Sequence, residues 1–167
     1  MHIRVLGSAD AEVYREVRLR ALKEHSEAFL ADYETELQKP IEVFRQNLAP
    51  AEGKFTLGCF SDSKQLVGIV TLVRETKPKI EHKANIYAMY VAPEARGQQV
   101  GRSLLNELLQ RAKSFDGLEL IKLTVVSNNG AAKRLYASLG FTVYGTEARA
   151  VKVNGTYLDE DMMILTL

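Results

Sequence analysis

Apolar positions along the chain recur with two periods. Val100, Leu104, Leu105, Leu108, Leu109, Ala112 and Phe115 fall on one helical face, so a helix is predicted to begin inside the loop Gly97 to Gly101. Ile41, Phe44 and Leu48 give a second helical stripe after Pro40, a residue suited to a first turn. Ser8 and Asp10 are candidate caps of an earlier helix through about Lys23, with Val13, Val17 and Ala21 toward the core. Arg15, Arg18, Arg20 and Lys23 form a basic face on that helix, read as solvated surface. The polar stretch Glu24 to Glu36 breaks the helical period and reads as a loop.

The second period is that of strands. His2 to Leu6 is a short first strand, and Phe55 to Phe60 with Gln65 to Val73 form an antiparallel hairpin around Ser61 to Lys64. Ala84 to Val91 continues this meander, and Leu118 to Val126 is a buried strand. A helix separates those two, which makes them parallel neighbours. Asn129 caps a further helix whose inner side is Ala132, Leu135, Tyr136 and Leu139 and which Gly140 ends. Phe141 to Val153 and Tyr157 to Leu167 flank Asn154-Gly155, a strong hairpin signal.

At 167 residues with 46% apolar content, the chain is expected to form one domain, residues 1–167. A net charge of +1, from 22 basic and 21 acidic residues, gives no general attraction to nucleic acid or to an anionic membrane. The apolar run at the N-terminus is too short for a signal peptide and nothing approaches a membrane span, so the expected address is cytoplasmic. Cys59 has no partner for an intramolecular disulfide, and three scattered histidines form no metal cluster. Cys59 is expected to be a small buried strand residue.

The loop before the Val100 helix has the makings of an anion cradle. The first N–H groups of a helix lack intrahelical partners and lie at its positive end. Gly97 and Gly101 carry no Cβ to hold an anion away, and Arg96 and Arg102 add charge-assisted donors. Arg96-Gly97-Gln98-Gln99-Val100-Gly101 resembles the acyl-CoA-binding signature of the GNAT superfamily of N-acetyltransferases, Arg/Gln-x-x-Gly-x-Gly/Ala. Gln99 departs from it, standing where the first signature glycine is expected; it is read as part of the first helical turn, where Gln is favoured over Gly by under ~1 kcal/mol. Asn129 to Phe141 resembles the family's second element, Asn-x-x-Ala-x-x-Leu-Tyr-x-x-x-Gly-Phe, and the likeness covers essentially the whole chain.

The resemblance implies an α/β fold with a mixed sheet of about seven strands, flanked by about four helices and splayed between the fourth and fifth strands. It implies acetyl-CoA as co-substrate, without a metal, and an amine acceptor, small molecule or peptide, that attacks the thioester directly in a ternary complex. A homodimer is compatible with it; nucleic acid and membrane are not expected partners. By the same resemblance Met89 and Val91 offer backbone groups to the pantetheine and acetyl carbonyl. Arg96, Gly97, Gln98, Gln99, Val100, Gly101, Arg102 and Ser103 hold the pyrophosphate, Asn129 reaches the pantetheine arm, and Tyr136 lies near the sulfur as the acid for the departing thiolate. No base stands out among His82, His25, Glu75, Glu81 and Tyr87, and a water route is open. Glu27, Asp32, Glu34 and Glu36, on a loop expected to wrap the acceptor side, are candidates to attract a cationic amine or plain solvated residues. The rival readings are a catalytically silent CoA-binding or sensor module and a nucleotide-binding α/β protein, the latter without a Gly-x-Gly-x-x-Gly opening.

Overall fold

The computed structural model, which describes residues 1–167, builds a seven-stranded sheet in the order β1-β2-β3-β4-β5-β7-β6. The strands are β1 (His2–Val5), β2 (Lys54–Phe60), β3 (Leu66–Arg74), β4 (Lys83–Val91), β5 (Leu120–Val126), β6 (Thr142–Val153) and β7 (Thr156–Thr166). Every neighbouring pair is antiparallel except β4 and β5, which α4 (Val100–Ala112) connects as a parallel crossover. The Asn154-Gly155 turn has φ values of 49° and 80°, the left-handed pair that a two-residue hairpin demands. Its second strand, β7, inserts between β5 and β6.

The β4–β5 pairing is short. It covers only Lys83 to Asn85 against Leu120 to Lys122, so the strands part before Ile86 and leave a gap bordered by Val91 on one side and Val126 on the other. On the other edge of β4 the ladder with β3 skips: Tyr87 faces Thr71 and Tyr90 faces Ile69, leaving Ala88 and Met89 without a partner. Ala88 takes φ 54°, and such a bulge bends its strand and adds twist.

The predicted face of α4 is buried from Val100 through Ala112, and four of its side chains, Leu104, Leu105, Leu108 and Ala112, are fully covered. Each leucine contributes about 1.5–3 kcal/mol by leaving water. Phe115 lies beyond the end of the helix and packs edge-on to Phe55, with ring centroids 5.9 Å apart.

The first third of the chain differs from the periodicity. A 3₁₀ turn, Ser8–Asp10, precedes α1 (Ala11–Glu24), and Asp10 caps nothing in α1 because its carboxylate is held by Arg4 and the Gly7 N–H. Val13 is 40% exposed rather than core, since α3 (Ile41–Leu48) meets α1 through Tyr14 on Phe44, about 100° round the helix. The stretch read as a loop holds a 3₁₀ turn at Ser26–Ala28 and a fifth α-helix, α2 (Tyr33–Gln38). Asp32 caps α2 by accepting from the Thr35 N–H at 2.9 Å, and Glu36 is buried on its inner side. A six-residue helix spans under two turns, too few for apolar periodicity to register.

Candidate functional site

The segment between β4 and α4 is a run of unused donors. Arg96 N–H bonds back to Pro93, and Ser103 N–H makes the first bond of α4, to Gln99 O at 2.9 Å. The six backbone N–H groups between them, from Gly97 through Arg102, make no hydrogen bond within the protein. Gly97 has φ 74° and open space where a Cβ would project, so an anion has unobstructed access there. Gln99 is not inside the helix. It is the residue that turns the chain into α4, with φ 59° and ψ 15°, a left-handed conformation that favours glycine. Helix propensity therefore does not explain it.

Gly101 serves packing. A Cβ there would sit 3.2 Å from both the Met89 Cε and a Leu135 methyl, and 3.7 Å from a Val91 methyl. Its missing side chain lets α4, the end of β4 and α5 (Gly130–Ser138) converge, which places Met89 and Val91 against the cradle. Arg102 ties the same helices by donating to the Ser138 hydroxyl at 2.8 Å, and Gln98 donates to the Glu94 carbonyl at 3.0 Å. Ala92 N–H donates to Val67 across β3, so by the alternation of an extended strand Val91 turns its backbone groups the other way, into the gap. Arg96 Nε already donates to the Val91 carbonyl at 3.1 Å, leaving the Val91 N–H as the open group.

On the β5 side, Asn129 caps α5 by accepting from Ala132 N–H at 3.2 Å, which leaves its amide NH₂ unengaged. Tyr136 packs edge-on to Phe141, with centroids 6.0 Å apart, and is 7% exposed. Burial pushes its phenol up to about 12, so it is neutral and carries its proton across the physiological range.

Charged residues divide into those at the gap and those remote from it. His82, Glu75 and Glu81 gather where β4 is still paired: Glu75 N–H bonds to Lys83 O, the Glu75 carboxylate accepts from Asn85, and the His82 carbonyl receives β5. These three therefore sit at the paired end of β4, at the opposite end of the strand from Val91. Tyr87 lies midway and is 54% exposed. His25 is close. Its Nε2 is 2.8 Å from Arg96 Nη2, and its Nδ1 is 3.4 Å from the Glu27 carboxylate. Guanidinium only donates, so Nε2 holds the lone pair and the proton sits on Nδ1, toward Glu27. The turn carrying Glu27, Ser26–Ala28, rests against β5 and β6.

Two networks escape sequence reading because their members are far apart in the chain. Arg20 bridges Glu94 at 2.6 Å and Glu24 at 2.8 Å, and the Tyr90 hydroxyl donates to Glu24 at 2.7 Å. Arg20 brings Glu94 down to about 2, while burial and then Glu24 raise Tyr90. Behind α5, Asp161 on β7 binds Lys133 at 2.5 Å and accepts from Ser127 and Thr146, which together hold it at about 2. The acids expected to attract a cation are largely occupied: Asp32 caps α2, Glu36 pairs with Lys39 at 2.5 Å, and Glu27 faces His25.

Comparison with known proteins agrees with this geometry. The chain is 30% identical over 145 residues to the mycothiol acetyltransferase of Brachybacterium faecium, a match covering 85% of this chain and 40% of that relative's length. Among solved structures, a GNAT-family acetyltransferase from Streptococcus pneumoniae superposes with a TM-score of 0.87 at 23% identity, covering 99% of each chain. The Salmonella typhimurium putative acetyltransferase yncA, solved with its cofactor acetyl-CoA, superposes with a TM-score of 0.79 at 25% identity, covering 100% of this chain and 94% of that one. Residues 18–141 match the profile of the acetyltransferase (GNAT) family, and with its parted β4 and β5, bulged β4 and donor-lined turn into α4, the chain belongs to that family.

Proposed function

We propose that the protein transfers an acetyl group from acetyl-CoA to a primary amine by direct attack in a ternary complex. The six unpaired amides from Gly97 to Arg102, at the mouth of a parted sheet, carry this reading. They suit a pyrophosphate in number and polarity, and a Cβ-free Gly97 leaves it room. Asn129, whose amide NH₂ is free, and Met89, at the β4 bulge, are assigned to the pantetheine arm, a reading supported by those unengaged groups. Acetyl-CoA, when bound, supplies a thioester carbonyl as electrophile and a thiolate as leaving group.

Each proton has a candidate carrier in the chain. The Val91 N–H, fixed by the β3 ladder, serves as a preorganised oxyanion donor. His25 accepts the proton of the incoming amine at Nε2, its tautomer held by Glu27 through Nδ1. Arg96 faces that lone pair at 2.8 Å, and an Arg96 that turned to a pyrophosphate in the cradle would free it. Tyr136, buried against Phe141 and carrying its proton, is assigned the role of giving its hydroxyl proton to sulfur.

The test pairs Gly97→Asp with Gly97→Asn. Both residues tolerate a left-handed backbone, and the open space at Gly97 accepts either side chain. Calorimetric titration with CoA should show at least a tenfold greater loss for Asp than for Asn, since only Asp adds a negative charge beside the cradle. Equal affinities would remove the pyrophosphate from this turn. Release of free thiol from acetyl-CoA on addition of amines separates an enzyme from a silent CoA-binding module.

A further inference from the structure

Three segments meet at the end of β4, and the Arg20 side chain joins them. Its guanidinium donates to the Glu94 carboxylate through Nη1 at 2.6 Å and Nη2 at 2.7 Å, and to Glu24 through Nε at 2.8 Å. Glu24 in turn accepts from the Tyr90 hydroxyl at 2.7 Å. Each of these partners stands beside a residue assigned to acetyl transfer: Glu24 directly before His25, Tyr90 directly before Val91, and Glu94 two residues before Arg96. A planar guanidinium bonded at all three nitrogens fixes direction as well as distance, which a lysine ammonium does not.

His25 depends on such a fixture. It follows the last helical residue of α1, and its φ of −137° and ψ of 57° lie outside the helix. Its N–H still bonds to the Ala21 carbonyl at 2.9 Å, so the residue travels with the last turn of α1. On the other side its ring stands 6.4 Å from the Tyr90 ring, and Arg96, which it faces at 2.8 Å, also donates to the Val91 carbonyl at 3.1 Å. Arg20 and Glu94 are exposed, and exposed ion pairs contribute little to stability. Without the guanidinium, however, Glu24 and Glu94 would face each other as like charges across the junction of α1 with the Pro93–Ala95 turn. Building on the acetyl-transfer reading with His25 as its base, we infer that Arg20 is a positioning residue: through Glu24 and Glu94 it holds the last turn of α1 on the turn that leads into the cradle, and so sets His25 against Tyr90 and Arg96 at the end of β4.

The experiment compares the native protein with Arg20→Met and with the double variant Arg20→Met/Glu94→Gln. Methionine keeps an aliphatic stem and removes the donors, and glutamine then removes one of the two facing charges. The first readout needs no acceptor: the nuclear Overhauser effect between the His25 and Tyr90 rings, with His25→Gln to assign the signals, should be present in the native protein, lost in Arg20→Met and partly restored in the double variant. The second is thiol release from acetyl-CoA with a panel of primary amines. Arg20→Met should lower kcat by about 10–100-fold, since a misplacement of about 1 Å can cost ~10²-fold, with KM for acetyl-CoA within about threefold and thermal unfolding nearly unchanged. The double variant should regain at least about threefold of that loss. An unmoved ring contact, or a fall in kcat of less than about threefold, overturns the inference. So does a rise in KM for acetyl-CoA that matches the fall in kcat, or a double variant slower than Arg20→Met, the marks of a merely structural role. Full kcat in His25→Gln overturns it together with His25 as base. Absence of thiol release from the native protein, with CoA still bound, overturns the acetyl-transfer reading and the inference that rests on it.

Discussion

Replacing Gln99 by glycine should stabilise the protein. The residue holds φ 59° and ψ 15°, where an L side chain crowds the following carbonyl at a cost of about 1–2 kcal/mol. Glycine avoids that cost but loses more conformational freedom on folding, by roughly 0.5–1 kcal/mol. The Gln99 side chain is exposed and makes no hydrogen bond, so nothing else is lost, and the balance is about 0.5–1 kcal/mol in favour of the variant. For a chain of this size that is a rise of roughly 1–4 °C in Tm. Urea denaturation and thermal scans without ligand measure it, with Gln99→Ala as control: alanine keeps the Cβ and the strain, so it should stay within about 0.5 kcal/mol of the native protein. CoA affinity of Gln99→Gly should change by less than tenfold, because the amides keep their directions. An unchanged or lowered Tm for Gln99→Gly, or a gain shared by Gln99→Ala, would refute the argument from backbone strain.

Three further outcomes are expected. Tyr136→Phe keeps the ring against Phe141 and removes one hydroxyl, so kcat should fall by ~10²–10⁴-fold with CoA affinity unchanged; retention of half the native kcat, with chemistry limiting, would make Tyr136 a packing residue. Asp161 is held at about 2, below its unfolded value of ~3.9, so it contributes stability above pH 4 that is lost as pH falls through 2. Asp161→Asn should flatten the native loss of stability between pH 4 and pH 2 in denaturant titrations; an unaltered slope would deny the linkage. Leu104→Ala, at a fully buried position of α4 against β3, should cost about 2–5 kcal/mol by chemical denaturation; a cost under 1 kcal/mol would mean that α4 is seated differently.

Much of the fold is local and could be read in the chain. The stripe from Val100 to Ala112 specifies α4 because one helical face must leave water, and Asn154-Gly155 specifies the closing hairpin because both residues accept positive φ. The two family elements likewise rest on contiguous residues. What the sequence could not express depends on which distant backbones meet. Pairing between β4 and β5 stops at Asn85 and Lys122 although both strands continue, and no residue along either announces it. Gly101 looks like a phosphate glycine, yet the space it vacates belongs to Met89 and Leu135. His82 and His25 are equally plain in the chain; only strand length carries the first away, and only the Arg96 contact brings the second in. Arg18 reads as one of four surface cations on an amphipathic helix. Its lack of a partner emerges only when Phe29 folds over it and Glu36 turns to Lys39, because ion pairing is decided by three-dimensional proximity and not by spacing.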